Sequence, residues 1–177
     1  MSSAASTGPR TVLIIRHGEK PGDPSSDSAT DGTDLSTRGY ERAASLAIHV
    51  PATFGKPDFL FATQASKHSN RPVETITPLA QALGMPIDDK HADDDYAKVA
   101  SDVLTHSKYA GKLVLICWHH GKIPALTTAL GGVPPMAKWP GAVFDRVWRI
   151  DDPAASAATG LAVANLPQQL MYGDSTT

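Results

Sequence analysis

Two short apolar runs constrain the fold of this chain most. Residues 11–15 read Thr-Val-Leu-Ile-Ile and residues 113–118 read Leu-Val-Leu-Ile-Cys-Trp. Neither run alternates apolar with polar, so neither suits a strand with one wet face. Both suit strands covered on two sides, as in a parallel sheet between helices. Segments of helical spacing separate them. Ser36 is a good N-cap, with Ala43, Leu46, Ala47 and Val50 on one face and Pro51 as the expected stop. Ser69-Asn70 opens a second helix carrying Val73, Ile76, Ala80 and Leu83, with Pro72 in its first turn and Gly84 at its end. Pro78 within it predicts a kink. A third helix follows Asp93, Asp94 and Asp95 and buries Tyr96, Val99, Ala100 and Val103. A fourth opens at Pro124 and stops at Gly131-Gly132. Further strands are expected at residues 58–63, 85–87 and 143–150, and a weaker one at 161–166. Strands alternating with helices predict an α/β fold, a three-layer sandwich. Its sheet is expected to be mainly parallel, with helices on both faces and antiparallel edge strands.

At 177 residues the chain fits one domain, residues 1–177, with 1–10 expected as a frayed terminus. Lys and Arg total 16 against 18 Asp and Glu, a formal charge of -2. Without a basic excess, nucleic acid is not an expected partner, and an anionic substrate needs a local cluster of cations. The single cysteine, Cys117, can form no internal disulfide and no zinc site built on Cys pairs; it reads as a small buried hydrophobe. The first residues lack the apolar core of a signal peptide, and no stretch approaches the roughly 20 apolar residues of a membrane helix. A soluble, cytoplasmic protein with no membrane partner is expected. Residues 21–34, rich in Pro, Gly, Ser and Asp, read as a loop at the mouth of the first strand.

That mouth carries Arg16-His17-Gly18-Glu19-Lys20. Open α/β sheets bind ligands at the carboxyl ends of their strands. Two more strand ends bring basic chemistry to the same edge: Lys67, His68 and Arg71 after the second strand, His119 and His120 after residues 113–118. A phosphate needs such a surround. Arg16 and Arg71 each offer a fork of donors, and the amide near Gly18 adds another. An unprotonated nitrogen of His17 could attack phosphorus, its tautomer set by a hydrogen bond from the other ring nitrogen to a carbonyl. His119 is expected as a cation that braces the phosphoryl oxygens.

With these residues in this order, the chain resembles the histidine phosphatase superfamily, the phosphoglycerate-mutase-like fold. The resemblance spans residues 11–174. Arg16-His17-Gly18-Glu19-Lys20 matches its signature, whose His is the phosphorylated nucleophile. Leu35-Ser36-Thr37-Arg38-Gly39 with Arg42-Ala43 is similar to its first helix entry. Arg71-Pro72-Val73-Glu74-Thr75, then Pro78-Leu79-Ala80, resembles the segment whose Arg binds phosphate. Residues 111–118 with His119 and Ile123-Pro124 resemble the strand and turn of the second catalytic His, and Phe144-Asp145-Arg146-Val147 a later edge strand. The chain departs from the family where Trp118 replaces a small residue before that His, and where Ala62-Thr63 stands in place of Ser-Ser. His119 rather than His120 is chosen because it comes first after the strand and sets Ile123-Pro124 at the family's offset.

The resemblance implies a phosphomonoesterase that works through a phosphohistidine, on a small phosphorylated substrate or a phosphoprotein. It implies His17, His119, Arg16 and Arg71 as catalytic, and Arg16, Gly18, Arg71 and His119 as the phosphate site. The family draws the leaving group's proton from a carboxyl. Its motif is not visible here. Asp93, Asp94 and Asp95 lie in the right region by order; Asp95 is taken as the acid, and Glu19, whose other reading is to orient the loop, is a rival. Phosphoglycerate mutase-type transfer and a non-catalytic phosphate-binding module are the alternatives. His17-Gly18-Glu19 also fits the first half of a zinc-deaminase pattern, but the paired cysteines that pattern needs are missing. No metal and no cofactor are expected.

Overall fold

The computed structural model describes residues 7–22, 32–156 and 160–176. Residues 1–6 of the expected frayed terminus and 23–31 of the expected loop lie outside the described residues. Residues 8–10 are not frayed: the Gly8 carbonyl accepts from Gly111 N, Arg10 N donates to Lys112 O, and Arg10 O accepts from Asp152 N.

The chain runs β1 (Thr11–Arg16), α1 (Thr37–Phe54), β2 (Phe59–Thr63), α2 (Arg71–Leu83), β3 (Ile87–His91), α3 (Tyr96–Thr105), β4 (Leu113–Trp118), α4 (Ile123–Ala129), β5 (Gly132–Val133), β6 (Arg146–Asp151), β7 (Leu161–Ala162) and β8 (Ala164–Pro167). Six strands form one sheet in the order β3-β2-β4-β1-β6-β8. β1, β2, β3 and β4 run parallel, β6 runs against β1, and β8 runs against β6. β5 and β7 form a separate parallel pair.

The uninterrupted apolar strands are buried throughout, and their side chains alternate between two cores. Val12, Ile14, Val114, Ile116 and Trp118 face one core, shared with α3, α4, Trp139 and Trp148. Leu13, Ile15, Leu115 and Cys117 face the other, shared with α1 and α2. A sheet with apolar residues on both faces needs a layer on each side, and the result is a three-layer sandwich.

Pro51 acts differently from expectation. α1 does not stop at Pro51 but continues to Phe54 and ends at Gly55, whose N–H donates to the Pro51 carbonyl at 3.2 Å. One missing N–H is tolerated where the last turn still packs Phe54 against the core. α2 likewise runs from Arg71 to Leu83 across Pro78, with Leu79 and Ala80 buried. The strand expected at 85–87 forms instead at Ile87–His91, and that expected from 143 begins only at Arg146. Residues 140–145 are a loop, and that loop reaches the site.

Candidate active site

The carboxyl ends of β1 and β4 lie side by side, with Arg16 paired in register with Trp118. The next residues, His17 and His119, therefore face each other. Their ring centroids are 5.3 Å apart, with planes inclined by 70°. The cleft above them has a volume of about 450 Å³, and Arg16, Lys20, Arg71, Asp93 and His120 also line it. Ser66, His68 and Ser69 complete one wall.

His17 is buried, and its Nδ1 lies 2.7 Å from the carbonyl oxygen of Gly18. A carbonyl only accepts, so Nδ1 carries the proton and Nε2 keeps its lone pair. Burial holds the pKa of His17 well below the ordinary value, reinforced by the positive charge of Arg16 and, more weakly, by His119 and Arg71. At neutral pH the ring is uncharged. Gly18 N donates to Thr75 Oγ at 2.9 Å, and that hydroxyl donates to the Arg71 carbonyl at 2.7 Å. The His17 loop and the first turn of α2 are thus tied together, and Arg71 enters the cleft from that turn. Its Nη1 also donates to the Gly32 carbonyl at 2.8 Å.

Arg16 is buried, and residues 141–144 aim its guanidinium. Nη1 donates to the carbonyls of Gly141 and Val143, at 2.5 and 2.9 Å, while the guanidinium carbon stacks 3.7 Å above the Phe144 ring. Sequence reading missed this clamp. Backbone carbonyls carry no residue signature, and the segment reads as the start of a strand.

His119 faces His17 in the same cleft. Burial lowers its pKa to about 4, with Arg71, His120 and Arg16 adding to the effect. The neutral ring is favoured, because a further buried positive charge beside two guanidinium groups is costly.

The carboxyls also separate. Asp95 does not line the cleft; it accepts from Lys98 Nζ at 2.6 Å, and that bond lowers its pKa. Asp94 is exposed and pairs with Lys122 at 2.6 Å. Glu19 is buried under Arg42, which donates to both of its oxygens at 2.7–3.0 Å, and it does not line the cleft. Asp93 does line it. Burial raises the pKa of Asp93, Asp94 adds to the rise, and Lys122 opposes it. Its Oδ1 is buried without a hydrogen-bond partner among the described residues. Trp118, the unexpected large residue of β4, donates its indole N–H to the Asp93 backbone carbonyl at 3.2 Å and so ties this turn to the floor of the cleft. Of the aspartates on this one-turn helix (Asp93–Asp95), Asp93 lines the cleft and Asp95, the expected acid, does not.

Cys117 is fully buried, and burial pushes its thiol pKa far up, so it takes no part in the chemistry. Among the described residues no group of three His, Cys, Asp or Glu side chains could hold a metal ion, and no helix is long and apolar enough to cross a membrane.

Fold comparison places this arrangement. The chain superposes on the protein histidine phosphatase SixA complexed with tungstate, with a TM-score of 0.57, 15% identity, and 88% and 94% of the two chains covered. It superposes on a mycobacterial glucosyl-3-phosphoglycerate phosphatase at 0.56 and 15% identity, covering 89% and 97%. The phosphoglycerate mutase of Bacillus anthracis aligns at 0.50 and 11% identity, covering 92% and 94%. No family model and no curated protein sequence matches the chain. At these identities the likeness is one of architecture: the chain has the histidine phosphatase fold.

Proposed function

We propose that this chain is a phosphomonoesterase of the histidine phosphatase superfamily. It passes the phosphoryl group of a small ester or a phosphoprotein through His17 to water. One observation carries the reading: a buried imidazole, its Nδ1 proton held by the Gly18 carbonyl, keeps a free lone pair on Nε2 in a cleft also lined by Arg16, Arg71 and His119.

In the first step the Nε2 lone pair forms a bond to phosphorus as the ester P–O bond breaks. The leaving oxygen takes a proton from Asp93, the carboxyl of the cleft, whose pKa burial raises. Arg16 and Arg71 hold the equatorial oxygens, where charge gathers in the transition state. The bound dianion draws a proton onto His119, since an anion beside an imidazole raises its pKa. In the second step Asp93 takes a proton from water, the water oxygen bonds to phosphorus and the P–N bond breaks. Inorganic phosphate leaves, with His17 and the protonated Asp93 restored.

Labelling with a ³²P-monoester, followed by acid and alkaline quenches, tests the reading. A phosphorus–nitrogen bond predicts label that survives alkali, is lost in acid and is absent from His17→Ala together with turnover. Label equally stable in both quenches would overturn a histidine intermediate.

A further inference from the structure

A larger hollow adjoins the cleft that holds His17. A cavity of about 800 Å³ lies against α4 and the following loop. His120 and Gly121 line both spaces, so the two adjoin at these residues. The cavity wall is built from Pro124, Ala125, Thr128, Pro134, Ala137 and Trp139. Among the described residues, Lys138 is the one Lys or Arg in its lining, and no Asp or Glu lines it.

A monoester whose phosphorus lies beside His17, before transfer, has two hollows next to the cleft into which its alcohol portion can be directed. One is a small polar hollow lined by Lys20, Lys67, His68 and Arg71, with Gly32 and Thr33. That hollow offers charge and little apolar surface. The other is the larger cavity past His120, where the walls are mostly carbon. A volume of this size takes a whole organic group, while the phosphate itself occupies only part of the cleft. Apolar walls reward burial of an apolar body and leave a sugar's or peptide's polar groups without partners. The missing carboxylates remove a source of repulsion for an anionic ester.

We infer that the leaving group occupies this cavity, and that the substrates are monoesters of bulky, mainly apolar alcohols, aromatic or branched. The inference rests on the phosphomonoesterase reading for its reaction but on the cavity alone for its specificity. Transfer of the ester oxygen's substituent into the cavity adds binding without touching the reacting atoms, so truncated alcohols bind more weakly.

The test compares two primary alkyl groups of like leaving-group chemistry. The affinities of 2-phenylethylphosphonate and ethylphosphonate are measured by calorimetry, and kcat/KM is measured for the two corresponding phosphate esters. Burying a phenyl ring predicts a margin of about 10-fold or more for the larger compound in both. Thr128→Trp, on α4, and Ala137→Trp, on the loop, fill the cavity from exposed positions. In each variant the margin should shrink toward one, with circular dichroism and the melting temperature reporting the fold. Equal phosphonate affinities in the native chain, or a margin that both tryptophan variants leave intact, overturn the inference. A phosphopeptide preferred over both compounds, with a preference the variants do not alter, overturns it in favour of a protein substrate. A phosphonate margin that collapses in the variants, with neither ester hydrolysed, supports the cavity and removes the phosphomonoesterase reading.

Discussion

Asp93 and Asp95, of which sequence reading took Asp95 as the acid, differ in burial and in partners. Lys98 holds the charge of Asp95, while Asp93 sits half-buried over the cleft with its pKa raised. Asp93→Asn should therefore lower kcat by about 10²-fold or more on an alkyl ester and much less on an ester whose alcohol needs no proton. It should also remove the alkaline limb of the kcat/KM profile, because activity falls as pH rises through the pKa of a general acid. An unchanged alkaline limb would exclude Asp93. The two facing histidines make a prediction about stability. Their folded pKa values lie below the ordinary 6.5, about 4 for His119, so the unfolded chain binds more protons than the folded one between these values. The stability that neutral imidazoles contribute is present above about pH 6.5 and is lost as pH falls toward about 4. Melting temperatures across that range should fall, and His119→Gln should flatten the slope.

The start of α1 is the element most closely fitted to the catalytic loop. Ser36 caps the helix by accepting from Gly39 N, and its own N–H and hydroxyl donate to the Glu19 carbonyl. A Cβ on Gly39 would collide with that same carbonyl oxygen. Gly39 therefore answers a close approach between helix and loop. Gly39→Ala should destabilise the fold by about 1–3 kcal/mol and lower activity further by displacing the loop; denaturant unfolding and kcat/KM measure the two. α2 is joined to the same loop through Thr75, and to α1 through Glu74, which accepts from Leu35 N at 2.9 Å and from the Tyr40 hydroxyl at 2.8 Å. The segments quoted for the family resemblance, Leu35–Gly39 and Arg71–Thr75, are thus the places where two helices grip one loop. Their order was legible in the sequence; the contacts that make them useful were not.

On the scale of the molecule, a buried ionic network joins the far end of the chain to the first strand's loop. Arg42 donates to Glu19, to Gln168 Oε1 at 3.0 Å and to both oxygens of Asp174 at 2.7–2.9 Å. Asp174 also accepts from the amides of Leu170 and Met171, while Ser175 N donates to Asp145 next to the Arg16 clamp. Residues 168–175 therefore close around the loop that carries His17. Asp174→Ala removes one partner of Arg42 but leaves Glu19 and Gln168, so a loss of about 1–3 kcal/mol is expected, with proteolysis of the C-terminal segment made faster. Unchanged unfolding and cleavage would show that the segment does not clasp the loop.

The sequence by itself determined the α/β layering, the buried parallel strands and the strand end that offers Arg16 and His17, because hydrophobic periodicity and local motifs are properties of neighbours in the chain. It did not determine which acid faces the cleft, that Pro51 lies inside a helix, that burial lowers the pKa of His119, or that carbonyls near residue 142 aim Arg16. Those outcomes depend on burial and on contacts between segments up to 127 residues apart. Desolvation and long-range hydrogen bonds exist only once the sheet has brought those segments together, so the tertiary structure decided them.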